Sequence, residues 1–466
     1  MSAGIALGLW AKSDETTDAA MTIRLPGHLM PLALAALAGG CAHYQPAPLA
    51  ERPALVATLP DVPTHPLSAA EVATLAVARD PDLVAARTKG GVAEAQLVQA
   101  GVLPNPSLTG AFLPLISGAG TVPAWNLGLA QDIKALLVYR PKRRGARDSA
   151  AQVRADLLWQ EWQVAGEARQ LATDIASRDQ TRLLLQEAVT ILEHRYRVTQ
   201  RALTAGDVTL VTAAPSAVGY QQARTNLQTL DQQQLQDRHK LNALLGLAPD
   251  AALPLAPVGA VGPLDIAAAR AALDTLPARR PDLLALRFGY AAQDEALRAA
   301  ILAQFPDLIL GGSASSDNSR VVNAGPTAQL GLPLFDRNQG NVAIARATRE
   351  QLRSEYAARL SATVGQVGAL LSELAQLRDQ LAAVERDLPA ARAAAARASA
   401  AFGNAALDER AYVDLVTNRF TKEQEVQTLK LALLDRQIAI EALIGAGLPG
   451  VDTLGLIDPG TKGAAR

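Results

Sequence analysis

The sequence predicts a mainly α-helical chain with two short strand pairs, built from a duplicated helix–strand–strand–helix–helix unit. Three observations point there. Apolar residues recur every three or four positions over stretches far longer than an ordinary helix of about 12 residues. Two segments match at a constant offset, Pro81 with Pro281, Asp82 with Asp282, Arg87 with Arg287 and Pro106 with Pro306. Each copy also holds a pair of strand-like runs between its helices.

Composition agrees with packed helices. Of 466 residues, 49% are hydrophobic but only 4% aromatic, and the net charge is −1. A balance this close to neutral argues against a nucleic-acid partner, which calls for a basic excess. The five His residues include no i, i+4 pair, so no metal site can be assembled locally. No Walker A loop, GxSxG elbow or HExxH is present, and Cys41 is the single cysteine, so the chain has no enzymatic signature. No cofactor is implied.

The first 40 residues read as a signal peptide. Arg24 precedes a short apolar run from Leu29 to Ala38, too short to span a bilayer. Asp14, Glu15 and Asp18 are foreign to such a leader, which makes Met21 an alternative start. "LAGGC" ends at Cys41, the candidate lipid-attachment site, although Ala38 stands where Leu is most usual. Residues 41–67 are Pro-rich and read as an extended tether.

From residue 68 the repeat takes over: a first unit over 68–260, a second over 261–450, and a tail over 451–466. In the first, one helix is expected from about 68 to 102, then strands at 107–113 and 123–131. In the second, the strands are 307–315 and 325–334. Ala328, Leu330, Leu332 and Leu334 fall on one face of the last strand, Thr327, Gln329 and Gly331 on the other. Such alternation fits a transmembrane strand. A half-buried soluble hairpin alternates in the same way.

"LPLFDRNQG", residues 332–340, reads as a strand end running straight into a long helix, with Asp336 as N-cap and Gln339 closing a capping box. The long helix has a stripe of Leu352, Tyr356, Leu360, Val364, Val367, Leu371, Leu374, Leu377, Leu381, Val384 and Leu388. Copy one has Val164, Ala168, Leu171 and Ile175 at the same spacing. Gly206 and Gly403 mark the hairpin tips, and Pro215 and Pro389 are expected to bend or break their helices. Asp207, Asp408 and Glu409 come after the tip glycines, either as charges at an entrance or as ordinary helix-start acids. The basic run of Lys134, Arg140, Lys142, Arg143, Arg144 and Arg147 reads as a solvated belt below the strands.

Four strands cannot close a membrane barrel, whose smallest examples have eight, so several chains would have to pool theirs. Here the sequence resembles the TolC-like outer-membrane factors. The resemblance rests on "LAGGC", the twofold repeat, the strand pairs and "LPLFDRNQG", and covers about 68–447. "LFDRNQG" followed by "NVAIARA" is similar to the heavy-metal (CzcC-like) branch, and "RPKRRGAR" sits where that family has a GKRRAR-like stretch. Pro215 departs from the pattern.

The resemblance implies a TolC-like trimeric α-barrel/β-barrel: a homotrimer in the outer membrane, contacting outer-membrane lipid, lipid-anchored, with a periplasmic helical extension. It implies a passive duct that works with a periplasmic adaptor (a membrane fusion protein) and an inner-membrane RND pump. Pro333, Phe335, Asp336, Arg337, Asn338 and Gly340 would form the barrel-to-helix junction, Gly340 allowing close backbone approach. Gly206, Asp207, Gly403, Asp408 and Glu409 would form the entrance. Metal, drug and type I secretion cargoes stay open, and a lipid-tethered coiled-coil scaffold without a pore is the competing class.

Overall fold

The computed structural model describes residues 44–51, 55–56, 65–259 and 262–446. It divides into two units, Met1–Ala54 and Leu55–Arg466. In the first, the described residues hold no helix or strand. The expected leader, Cys41 and the C-terminal tail lie outside the described residues. Every helix and strand among the described residues belongs to the second unit.

The first half runs α1 (Ala69–Arg79), α2 (Pro81–Ala100), β1 (Ser107–Leu113), β2 (Ala124–Asp132), α3 (Ile133–Ala205) and α4 (Leu210–Leu244). The second runs α5 (Ile266–Ala272), a 3-10 turn, α6 (Leu276–Arg279), α7 (Pro281–Leu302), β3 (Asp307–Ser316), β4 (Val322–Gly331), α8 (Gln339–Gly403) and α9 (Glu409–Ile444). The helix–strand–strand–helix–helix order therefore occurs twice. At 1.5 Å per residue, the 73 residues of α3 and the 65 of α8 give rods of roughly 100 Å.

The single helix expected over 68–102 is in fact two. Ser68 caps α1 through a reciprocal box, its hydroxyl accepting from the Glu71 amide and its own amide donating to Glu71 Oε2 at 2.8 Å. The Ser68 hydroxyl also donates to Glu71 Oε2 at 2.7 Å, and that bond first, then the Ser68 amide and His65, hold the Glu71 carboxyl down at about 2. Asp80 ends α1 and caps α2, accepting from the Leu83 amide at 2.7 Å, with Pro81 in the first helical position where its missing N–H is not needed.

Pro141, Pro215 and Pro389 lie inside α3, α4 and α8, which run unbroken through all three. The expected breaks at Pro215 and Pro389 do not occur.

The helices pack through small residues. Ala150, Ala151, Ala155, Ala168, Ala172, Ala176 and Ala188 are all buried along α3. One apolar cluster gathers Leu67, Val72, Leu171, Ile175, Leu241 and Leu247, where the extended segments around Val56 and Leu67 bridge to Leu247 and Leu255. A second joins Val367, Leu371 and Leu374 of α8 to Ile440 and Ile444 of α9. The expected α8 stripe is buried at Val367, Leu371, Leu374, Val384 and Leu388, but Val364 is 41% exposed. Thr363 occupies the inward position instead, satisfying its hydroxyl on Arg359 O at 2.9 Å.

The strands form one antiparallel sheet in the order β1-β2-β3-β4. Its central pairing, Trp125 with Ser316 through Asp132 with Ile309, joins the two halves. Here Gly311 is required by space. A Cβ on it would sit 2.2 Å from the Leu129 carbonyl oxygen and 2.9 Å from Ala130 Cα, both backbone atoms of the neighbouring strand. Gly311→Ala should therefore force β2 and β3 apart at a cost of about 3 kcal/mol. The expected outcome is a reduced yield of folded protein and a weaker strand signal by circular dichroism. A normal yield would mean that the ladder yields at this point.

Candidate membrane sheet and helical tips

The register sorts the sheet into two faces. Residues paired across strands share a face, so Leu108 and Phe112 of β1 align with Leu129 and Trp125 of β2. On that face stand Leu308, Leu310, Gly312 and Ala314 of β3, and Val322, Ala324, Pro326, Ala328 and Leu330 of β4. The opposite face carries Thr109, Asn126, Ser313, Ser315, Asn323, Thr327 and Gln329. The apolar face is bare: Leu108 is 71% exposed, Phe112 67% and Val322 64%. β1 and β4 are the sheet's two edges. An apolar surface this continuous marks a lipid or protein interface. Among the described residues no helix is long and apolar enough to cross a membrane.

The two strand-to-helix junctions differ. In the first half Asp132 is the last residue of β2 and caps α3, accepting from the Ala135 amide at 2.9 Å, with no loop between. The second half does not run straight through as the sequence suggests. β4 stops at Gly331, leaving residues 332–338 as an irregular connection, and Asp336 is not the cap. Its carboxylate accepts from the Asn338 amide at 2.8 Å, within the connection. Asn338 precedes α8 with a left-handed φ of 59° and makes no side-chain cap bond. Asn tolerates that backbone better than most residues.

The Gln339 side chain accepts from the Arg337 amide at 2.7 Å and donates to Phe335 O at 3.3 Å, so it ties the loop and not a capping box. Asn338 Nδ2 donates to Ala300 O at 2.7 Å, fastening the connection to the end of α7. Pro333 is half-buried in it, Phe335 is 92% exposed, and Gly340 meets no atom within 4 Å of an added Cβ, so it allows no close approach inside one chain. Lys134 pairs with Asp307 at 2.8 Å and ties the foot of α3 to β3. Further along the basic belt Arg144 reaches Glu295 at 4.0 Å, while Arg140, Lys142 and Arg143 are exposed.

At the first tip Gly206 has φ 82° and closes α3, its amide and that of Asp207 bonding back to Leu203 O and Ala202 O. Asp207 is exposed, as are Leu210 (70%) and Val211 (84%) at the start of α4. The second tip departs from expectation twice. Gly403 is the last residue of α8, and the left-handed residue is Ala405 with φ 56°. Glu409 is also not an entrance charge: it is 6% exposed. Both its carboxylate oxygens accept from Arg195 Nε at 2.8 Å, and Oε1 also lies 3.4 Å from the Thr199 hydroxyl. Arg195 stacks over Phe402, which in turn stacks on Tyr412. Asp408 is exposed and caps α9 through the Ala411 amide at 2.7 Å. Arg195 and Thr199 were not legible as tip residues, since nothing local in sequence links them to a carboxylate more than two hundred positions away.

Residues 272–446 match the model of the outer membrane efflux protein family. The fold is shared with three solved channels. CusC is 18% identical with a TM-score of 0.64, covering 86% of this chain and 99% of its own. The Campylobacter jejuni CmeC outer membrane channel is 16% identical at 0.66, covering 84% and 90%. The open state of the Neisseria gonorrhoeae MtrE channel is 16% identical at 0.65, covering 82% and 89%. The family match falls on the second copy of the repeat, and the fold of the described residues is that of these outer membrane channels. A search of curated protein sequences gives no match.

The described residues include no group of three or more His, Cys, Asp or Glu placed to hold a metal ion. Buried where the two hairpins meet, with its side chains 22% and 5% exposed, the Arg195–Glu409 pair reads as a structural tie between them. Removing one partner of a buried pair strands the other charge. Glu409→Ala should cost about 3 kcal/mol of stability, seen as a lower unfolding midpoint, while leaving the ion selectivity of an open channel unchanged. Altered selectivity without lost stability would put Glu409 in the channel wall.

Proposed function

We propose that this protein is the exit duct of a tripartite efflux pump for heavy-metal cations, spanning the outer membrane and the periplasm as a homotrimer. The observation that carries the reading is the sheet: four strands, apolar on one face and polar on the other, with both edges open and two helical hairpins hanging from one side. A bilayer does not tolerate open strand edges, and three such sheets would close a ring of 12 strands. The polar face would then line a water-filled lumen and the apolar face meet outer-membrane lipid.

The helices would continue the lumen for roughly 100 Å below the sheet. An inner-membrane RND pump would supply the energy. The hairpin tips, with Gly206, Asp207, Gly403 and Asp408 on their surface and apolar Leu210 and Val211 beside them, would meet a periplasmic adaptor. Residues 332–340, with Pro333, Phe335, Asp336, Arg337, Asn338 and Gly340, would sit at the membrane edge. The metal cargo rests on the likeness of "LFDRNQG" to the heavy-metal branch, since the chain needs no metal-binding group of its own to conduct a cation.

Deleting the protein should sensitise cells to cobalt, zinc, cadmium or copper, and purified protein in detergent should size as a trimer. Unchanged metal tolerance beside new antibiotic sensitivity would replace the cargo by drugs, and loss of a secreted protein would replace it by a type I substrate. A monomer released without detergent would instead establish a tethered scaffold with no pore.

Cys41 is the proposed acylation site, so the mature chain would begin there and carry acyl chains. Cys41→Ser should lower the outer-membrane yield while the trimers that form stay active. An unmodified Cys41 in the intact mass of the mature chain would remove the anchor from the proposal.

A further inference from the structure

Asp174 lies near the middle of α3 and meets Asp435 of α9 where the two halves of the chain pack together. The Arg169–Glu441 ion pair at 2.8 Å sets the register of the two helices beside them, and in that register the two carboxyls face each other within hydrogen-bonding reach. Among the described residues, Oδ1 of each is shut off from solvent and meets no N–H or hydroxyl donor. Two carboxyl oxygens can share a hydrogen bond only if one of them carries a proton.

The neighbouring cations are engaged elsewhere. Arg178 of α3 lies 3.7 Å from Asp174 Oδ2, but its other nitrogen is bound to Asp237 of α4. Lys240 of α4 stands 3.7 Å from the same Asp237. Arg436, next to Asp435, turns to Glu373 of α8 at 2.6 Å. We propose that the Asp174–Asp435 pair is a proton latch, holding α3 against α9 while it keeps its proton and loosening that seam when the proton leaves to water.

The electrostatics agree with the geometry. Burial first, then the charge of Asp435 and the shared hydrogen bond, push Asp174 up to about 7, against the opposing pull of Arg178 and Lys240. Burial raises Asp435 too, offset by the bond from Asp174 and by Arg178 and Arg436. The pair therefore shares one proton where two free carboxyls would have lost both. An unfolded chain releases that proton near its ordinary value of 3.8, whereas the folded chain keeps it until about pH 7. The folded state binds the extra proton between those values, so stability falls as pH rises through this window and is level above it. Above it two like charges face each other in a dry seam.

The test uses the full-length protein in detergent, as wild type and as Asp174→Asn, in which an amide N–H replaces the acid proton at every pH. Infrared difference spectra of the two should contain a protonated-carboxyl band that titrates away near pH 7. The unfolding midpoint of the wild type should fall by several degrees between pH 4 and 7. Asp174→Asn should lose part of that slope and unfold at a higher temperature than wild type at pH 8. Asp435→Asn provides the same donor from the other side and serves if Asp174→Asn fails to assemble. A pair that shows no such band, or variants that keep the full wild-type slope, would overturn the latch.

Discussion

The backbone hydrogen bonds of β1 and β4 govern the rest of this structure. Every N–H and C=O in a bilayer must find a partner, because lipid offers none. β2 and β3 satisfy each other along the seam from Asp132–Ile309 to Trp125–Ser316, but β1 and β4 each present one open edge. In water such edges invite aggregation, and soluble proteins blunt them with charge or cover. Here the side chains flanking them on the apolar face are Leu108, Phe112, Val322 and Leu330, which is the opposite of blunting. Only further strands can complete a sheet of this kind. On the proposed reading the short β-hairpins lie in the bilayer and the long helices outside it.

The helices solve a different problem, which is to stay in register over roughly 100 Å without a thick core. Small residues do much of this. Alanines along α3 let its neighbours approach closely, and at Gly219 an added Cβ would come within 2.9 Å of Val413 Cγ1. Between such contacts, ion pairs fix which turn meets which: Arg182 with Asp231, Arg392 with Glu423, Arg419 with Glu187. Exposed pairs add little stability. Their value is that a helix slipped by one turn would part several of them together.

Much of this was legible in the sequence. The 3-4 spacing gave the rods, the constant offset gave the duplication, and β1 was bounded correctly because Pro106 and Gly-rich "SGAGT" punctuate it. What failed was local competition between equally plausible caps. Asp336 looks like an N-cap, yet Asn338 can adopt the left-handed backbone and Pro333 cannot extend a ladder, so the chain leaves β4 early and starts α8 late. Asp80 looked like an interior helix residue, but Pro81 after it made a fresh start cheaper than continuation. Glu409 looked like a surface acid because its partner, Arg195, comes from the other half of the chain.

The turning points show how the two copies have diverged. Matching the tips by glycine pairs Gly206 with Gly403, a separation of 197. The backbone pairs Gly206 with Ala405, a separation of 199, and the helix-ending Gly246 with Gly445, also 199. The sequence match slipped because a glycine was expected wherever φ is positive. Among the described residues the left-handed non-glycine positions are Arg320, Asn338 and Ala405, and all three lie in the second copy. They fall at the β3–β4 turn, the foot of α8 and the second tip. The first copy uses Gly118 and Gly206 at the first and last of these places and needs no left-handed residue between β2 and α3. Holding Ala in that conformation costs roughly 1–2 kcal/mol, which persists only where the surroundings over-determine it. Around Ala405 those surroundings are the Phe402–Tyr412 stack, the Asp408 cap and the buried Arg195–Glu409 pair. The second tip is therefore the one braced against the other hairpin, while the first, turning on an unstrained glycine with Leu210 and Val211 bare beside it, is free to meet something outside the chain.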